Sequence, residues 1–124
     1  MTFLDTSVII DFLRGDEKAV ALVRELFEKE DIKTTTITEY ELLKHKNELK
    51  KQAAEKFLSA ATVYSFDRAS AKKAALLFNK LRDSGKMFNE SDLLIAGISL
   101  ANDEVLLTQD RKFSNLEEVN IKII

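Results

Sequence analysis

Phe3-Leu4-Asp5-Thr6-Ser7-Val8-Ile9-Ile10 passes from an apolar pair, through one acid and two hydroxyl residues, into a run of aliphatic side chains. Phe3-Leu4 is expected to form a short strand. Thr6 or Ser7 then caps a helix carrying Val8, Ile9, Ile10, Phe12 and Leu13, and Gly15 stops it. A strand feeding directly into a helix opens a β-α-β unit, and the rest of the chain repeats the alternation. Asp16 can cap a second helix in which Ala19, Val20, Val23, Leu26 and Phe27 recur at helical spacing. Ile32 to Thr36 reads as a β-branched strand, and Thr38 opens a helical region to about Ala60. Thr62 to Phe66 is the next strand. Asp67 caps a helix bearing Ala71, Ala74, Ala75, Phe78 and Leu81, which Ser84-Gly85 ends. Asn89 caps a helix that is apolar nearly all round (Leu93, Leu94, Ile95, Ala96, Ile98, Leu100), followed by strands Val105 to Leu107 and Ile121 to Ile124. This order predicts an α/β fold with a mainly parallel central sheet flanked by helices on both faces, an α/β/α sandwich.

Length and composition bound what such a fold can do. The 124 residues suit one domain, 1–124, large enough to bury well over half of its unfolded surface. With 45% hydrophobic and 32% charged residues, the chain is too apolar for a disordered tail and too interrupted by charge for a membrane span. A net charge of -2, from 19 basic and 21 acidic residues, excludes a global positive field, so any phosphate binding has to be local. The absence of cysteine excludes disulfides, thiolate metal sites and cysteine nucleophiles, and a single His45 excludes a multi-histidine site. Met-Thr-Phe-Leu-Asp lacks the basic start and long apolar run of a secretory signal, so the cytoplasm is the expected location.

Open parallel sheets bind ligands beyond the carboxyl ends of their strands. Asp5 directly follows the first strand, and Asp110 follows the Val105–Leu107 strand through Thr108 and Gln109. In a right-handed β-α-β unit the helix N-termini lie at that same edge, which brings in Glu41 and Asp92, each expected in a first helical turn. The helix bearing Asp92 should be buried and should turn that carboxylate inward. Two carboxylates about 4 Å apart repel by roughly 4 kcal/mol at an effective dielectric near 20, so a cluster of four calls for a cation. With no Cys and one His, the hard oxygen set selects Mg²⁺ or Mn²⁺ over zinc. Such an ion lowers the pKa of a bound water and neutralises charge on phosphoryl oxygens, which points to phosphodiester hydrolysis.

Phe3-Leu4-Asp5-Thr6-Ser7-Val8-Ile9, Thr38-Glu39-Tyr40-Glu41-Leu42, Asp92-Leu93-Leu94-Ile95-Ala96 and Leu107-Thr108-Gln109-Asp110-Arg111-Lys112-Phe113 resemble, in order and spacing, the four signature blocks of PIN domains, specifically the VapC-type toxins. The resemblance extends over essentially the whole chain. It implies a PIN-like fold and an endoribonuclease acting on RNA, usually paired with a small antitoxin and often a homodimer. By that match Asp5, Glu41, Asp92 and Asp110 are the catalytic, metal-binding acids, with Thr6 or Ser7 and Thr108 as hydroxyl neighbours. Glu39 has the other helix phase and should face outward. Gly97 stands where family members more often carry alanine, which should loosen its helix by about 1 kcal/mol.

Each acid also has an ordinary reading. Thr38-Glu39-Tyr40-Glu41 and Asn89-Glu90-Ser91-Asp92 both resemble capping boxes, and the helix dipole favours a carboxylate in such a position. Asp110 alone reads as a turn residue. Asp5, at the end of a buried strand, has few neutral explanations, and the four together favour a site. Asp11, Asp67, Asp83 and Asp103 are read as surface, capping or turn residues, and His45, between Lys44 and Lys46, as part of a solvated helix face. Lys44, Lys46, Lys50 and Lys51 after Glu41, and Arg111 and Lys112 after Asp110, are placed to meet phosphates, although a salt-bridged helix face suits Lys50 and Lys51 better. Phe3, Phe12, Phe27, Phe66 and Phe78 fit core positions better than base-stacking ones.

Three other readings compete. A phosphoacceptor receiver domain would use Asp67, but Asp5 has no acidic neighbour and no lysine ends the fifth strand ahead of a final helix. A non-catalytic PIN-like binding module would be expected to have lost an acid. A haloacid-type phosphatase needs a second aspartate two residues after Asp5, where Ser7 stands.

Overall fold

The computed structural model of the chain describes residues 2–29, 31–86 and 88–124. Short strands β1 (Thr2–Leu4), β2 (Lys33–Thr35), β3 (Thr62–Tyr64), β4 (Val105–Thr108) and β5 (Ile121–Ile123) pair in one sheet of order β3-β2-β1-β4-β5, every pairing parallel. The chain lays β1, β2 and β3 outward in one direction, then crosses back to lay β4 and β5 on the other side. The switch point therefore falls between β1 and β4, the place where a doubly wound sheet opens a crevice at its carboxyl edge. A receiver-type sheet runs 2-1-3-4-5 instead, so that alternative does not fit.

Among the described residues six helices cover the sheet: α1 (Thr6–Leu13), α2 (Glu17–Glu28), α3 (Thr36–Leu43), α4 (Glu48–Ser59), α5 (Arg68–Asp83) and α6 (Glu90–Ala101). Successive strand residues point to opposite faces, and the core divides accordingly. Phe3 and Leu106 pack with Leu77 of α5, Ile95 and Ile98 of α6, and Phe113. Leu4 and Leu107 pack with Val8 and Ile9 of α1, Val23 of α2, Leu42 of α3 and Phe57 of α4. Among the described residues no helix is long and apolar enough to cross a membrane.

Most expected helix ends are found. Gly15 (φ +84) and Gly85 (φ +72) follow α1 and α5 in the left-handed region that glycine enters without a Cβ penalty. Asp16, Asp67 and Asn89 cap α2, α5 and α6. Two expectations are corrected. The region from Thr38 to about Ala60 is two helices, because Asn47 turns extended and accepts the Lys50 N–H at 3.1 Å, starting α4 afresh. Lys44, His45 and Lys46 therefore lie past the end of α3, where cations suit the helix dipole, and His45 is in an exposed connection, not on a helix face. The first of those helices also starts earlier, with Thr35 as its cap, so Glu41 sits in the second turn, and Thr38 is not a cap.

Side-chain placement brings two more corrections. Phe27 and Phe78 are 40% and 53% exposed and are not core residues. Gly97 is more than a weak helix former: a Cβ there would lie 2.8 Å from both the Ala74 Cβ and the Ser70 carbonyl oxygen, so its bare backbone permits the close approach of α6 to α5.

Candidate active site

Asp5 leaves β1 at the centre of the sheet, its N–H bonded to the Leu107 carbonyl of β4 at 2.9 Å. Its carboxylate is buried, 3% exposed. Oδ1 accepts the Thr6 N–H at 2.7 Å, while Oδ2 accepts the hydroxyls of Thr108 at 2.7 Å and Ser7 at 3.1 Å. Asp5 is thus the cap of α1, in place of Thr6 or Ser7, and this frees both hydroxyls for other partners. Ser7 Oγ accepts the Gln109 N–H at 3.2 Å and Thr108 Oγ1 accepts the Asp110 N–H at 3.0 Å, so the two hydroxyls tie the end of β4 to the start of α1. Burial pushes the Asp5 carboxyl up from its ordinary range against the pull of these bonds, and the charge of Glu41 adds to the rise. A carboxylate offers about four lone-pair directions; three are engaged here, leaving one for a further partner.

Glu41 reaches the same edge from α3. The Thr6 hydroxyl donates to Glu41 Oε1 at 2.7 Å, so one residue gives its N–H to Asp5 and its O–H to Glu41. Asp92 arrives in the first turn of α6, where Asn89, accepting the Ser91 N–H at 2.9 Å, performs the capping. Half-buried Asp92 is pushed up to about 7, first by burial, then by the charges of Asp5, Asp110 and Glu41, with Lys112 opposing. All three other acids therefore lie close enough to act on Asp92. Asp110 behaves partly as the turn residue it resembles: it caps the 3₁₀ turn Arg111–Asn115, accepting the Lys112 N–H on Oδ1 at 2.9 Å.

The fold thus gathers Asp5, Glu41, Asp92, Asp110, Thr6, Ser7 and Thr108 at one place. Among the described residues, no three Asp, Glu or His side chains already stand as a finished ligand set around one point. The chemistry of the group nevertheless fits a hard divalent cation. Its donors are carboxylate oxygens, and the work of holding Asp92 charged among three neighbouring acids is relieved by a positive ion. Asp67 is outside the group: it follows the edge strand β3, is exposed, and accepts the N–H and O–H of Ser70 at the start of α5. Of the basic residues singled out in the sequence, Lys112 acts on Asp92, whereas Lys44 lies over the Tyr40 ring at 5.2 Å and Lys51 pairs with Glu48 at 3.7 Å. Two buried threonines, Thr35, which the sequence did not single out, and Thr38, which it read only as a helix start, stand behind Thr6 and Glu41. Hydroxyl residues at spacing i, i+3 ahead of a glutamate at i+6 were the available signal.

A 3-2-1-4-5 parallel sheet that brings four acids from four segments to its carboxyl edge is the arrangement of a PIN domain. The PIN domain family model matches residues 2–119, and the chain belongs to that family. Among curated proteins it is similar to Ribonuclease VapC19 of Mycobacterium tuberculosis, 31% identical over 109 residues, 87% of either chain. It is also similar to Ribonuclease VapC3 of Methanocaldococcus jannaschii, 34% identical over 95 residues, 77% of this chain and 94% of the relative. Among solved structures it superposes on a chain of VapBC2 from Rickettsia felis bound to a promoter DNA fragment, with a TM-score of 0.89 at 19% identity, covering 99% and 98% of the two chains. DNA-bound VapBC from Salmonella typhimurium gives 0.87 at 23% identity, covering 98% and 96%. At such identities these likenesses speak for the fold.

Proposed function

We propose that the chain is an endoribonuclease dependent on Mg²⁺ or Mn²⁺ and the toxin of a toxin-antitoxin pair, with Asp5, Glu41, Asp92 and Asp110 as metal ligands. The observation that carries the reading is geometric: Thr6 joins Asp5 to Glu41, and Thr108 joins Asp5 to the Asp110 backbone, at the carboxyl edge of the sheet. The ribonuclease names of the VapC relatives support the substrate class. When bound, the ion supplies an acidified water and a counter-charge for the phosphoryl oxygens. The protein's own part is to hold the acids. Asp5 is fixed by three donors, Glu41 by the Thr6 hydroxyl, and Asp110 by the start of the 3₁₀ turn. Exposed Arg111 and Lys112, next to Asp110, are available for the phosphates on either side of the scissile bond.

The partner is proposed to be a small antitoxin, as the paired VapBC assemblies among the solved structures suggest. A groove of about 280 Å³ between α1, α3 and α4 suits it. Leu13 and Leu49 are exposed on its walls, and Arg14, His45 and Lys50 stand around them, a pattern complementary to an amphipathic helix with acidic flanks. Homodimerisation is proposed from the resemblance to VapC-type toxins, and α5 offers Leu76 and Phe78 as apolar side chains, 44% and 53% exposed, on different sides of the helix. The deciding experiment incubates purified protein with assorted RNAs in chelator, Mg²⁺ and Mn²⁺. Cleavage that needs the ion and disappears in Asp5→Asn is expected; cleavage unaffected by chelator would overturn the metal-dependent reading.

A further inference from the structure

The Thr6 hydroxyl, which holds Glu41, is itself the half-buried outer member of a row of three. Thr35 Oγ1 lies 3.3 Å from Thr38 Oγ1, Thr38 Oγ1 lies 3.0 Å from Thr6 Oγ1, and Thr6 Oγ1 lies 2.7 Å from Glu41 Oε1. Thr35 and Thr38 have no exposed surface at all. Each hydroxyl carries one proton and can accept as well as donate. The shortest contact, to a carboxylate that accepts only, takes the proton of Thr6. Thr38 Oγ1, 3.0 Å away, is the second acceptor within reach of the Thr6 hydroxyl, and it also accepts from Thr35. Thr35 Oγ1 also accepts the Thr38 N–H at 3.1 Å, which fixes the far end of the row to the first turn of α3. The Thr6 hydroxyl is thus held between Thr38 Oγ1 and Glu41 Oε1.

We infer that Thr38, backed by Thr35, is a positioning residue for Glu41, acting through the Thr6 hydroxyl. Thr38 and Glu41 are one helical turn apart on the same face of α3, while Thr6 belongs to the first turn of α1. The row therefore sets both the direction of the Glu41 carboxylate and the spacing of the two helices that carry Asp5 and Glu41. Without the Thr38 hydroxyl, the Thr6 side chain loses the polar contact that, together with Glu41, fixes its rotamer. The inference rests on the proposal that Glu41 is a metal ligand.

Calorimetric titration of the RNA-free protein with Mn²⁺ tests it. Thr38→Val keeps the shape and removes the hydroxyl. It is expected to weaken Mn²⁺ binding about threefold to tenfold, less than the roughly 10–100-fold typical when a ligand's own direct partner is removed. Thr38→Ser, which restores the hydroxyl, should bind within about twofold of wild type. Glu41→Gln should weaken binding more, and adding Thr38→Val to it should change nothing further, since the row then has no carboxylate to orient. Where Thr38→Val does not fold, Thr38→Ala takes its place. Wild-type affinity in the hydroxyl-less variant beside a weakened Glu41→Gln overturns the positioning role and leaves the metal site standing. No Mn²⁺ binding by wild type, or full binding by Glu41→Gln, overturns the metal-site proposal and this inference with it.

Discussion

The Thr108 hydroxyl donates to Asp5 Oδ2 at 2.7 Å, joining residues 103 positions apart, and accepts the Asp110 N–H at 3.0 Å. One oxygen thus orients an acid of β1 and the loop that presents an acid after β4. Thr108→Val should weaken Mn²⁺ binding by about 10–100-fold and reduce RNA cleavage in parallel, as loss of an outer-shell partner does. Thr108→Ser should restore both. If the valine variant binds Mn²⁺ as wild type does, the hydroxyl serves the fold alone.

Asp5→Asn preserves the shape of the side chain and an oxygen for the Thr6 N–H, but it removes the charge from the most buried acid of the group. RNA cleavage should fall below detection while circular dichroism and the melting transition persist. Retained activity would remove Asp5 from the proposed centre.

Asp92 ionises near 7 in the folded metal-free protein, against 3.8 in the unfolded chain. A raised carboxyl stabilises fully below the unfolded value and loses that contribution as pH rises through the folded one. Metal-free wild type should therefore lose stability between about pH 4 and 7. Asp92→Asn has nothing to ionise over that range, so its advantage in chelator should widen from about pH 5 to pH 8. A shift of about three units corresponds to roughly 4 kcal/mol, which solvent screening of a half-buried group reduces to on the order of 1–2 kcal/mol. Excess Mn²⁺ should reverse the order at the higher pH, because the ion stabilises the folded wild type more. Equal metal-induced shifts of the melting temperature in both proteins would show Asp92 to be no ligand.

Gly97→Ala should destabilise the protein even though alanine is the better helix former. The gain of about 1 kcal/mol in propensity meets a Cβ placed 2.8 Å from Ala74 Cβ and from the Ser70 carbonyl oxygen. Overpacking of this kind costs about 1–3 kcal/mol, so urea unfolding should show a lower midpoint. A higher midpoint would mean that α5 and α6 separate freely.

Leu49 is 77% exposed on the wall of the groove between α1, α3 and α4, so Leu49→Asp should leave stability and RNA cleavage nearly unchanged. It should release a co-expressed antitoxin from the complex. A variant still captured with its antitoxin would move the docking surface elsewhere.

The period of the apolar residues made the alternation of strand and helix legible, and Asp16, Asp67 and Asn89 could be read as caps because their types have few other uses at a helix start. Asp5, Asp92 and Asp110 could be placed at the carboxyl edge by topology alone. What escaped was whatever depended on partners distant in the sequence. Thr6 and Ser7 look like caps by type, and only the fold shows Asp5 capping and their hydroxyls spanning to Glu41 and Thr108. Glu41 was assigned one turn too early because Thr35, Thr36 and Thr38 are equally good caps, and only backbone geometry chooses Thr35. The end of α3 carries no glycine or proline, the usual punctuation. Gly97 read as a defect because its reason lies on another helix. The exposed Phe27 and Phe78 have the same spacing as buried neighbours, which periodicity cannot distinguish.

Because β1 is flanked in the sheet by β2 and β4, its two neighbours are made at very different times during synthesis. Asp5 emerges first, yet its partner Thr108 follows 103 residues later. Chains grow from the N-terminus, and a loop of such length closes only after both ends exist. A nascent chain can therefore bring Glu41 beside Thr6 while still lacking Asp110 and the hydroxyl that fixes Asp5. The four acids meet only when the crossover to β4 is complete, so the site that one sheet edge displays in the folded protein is the last thing its synthesis can assemble.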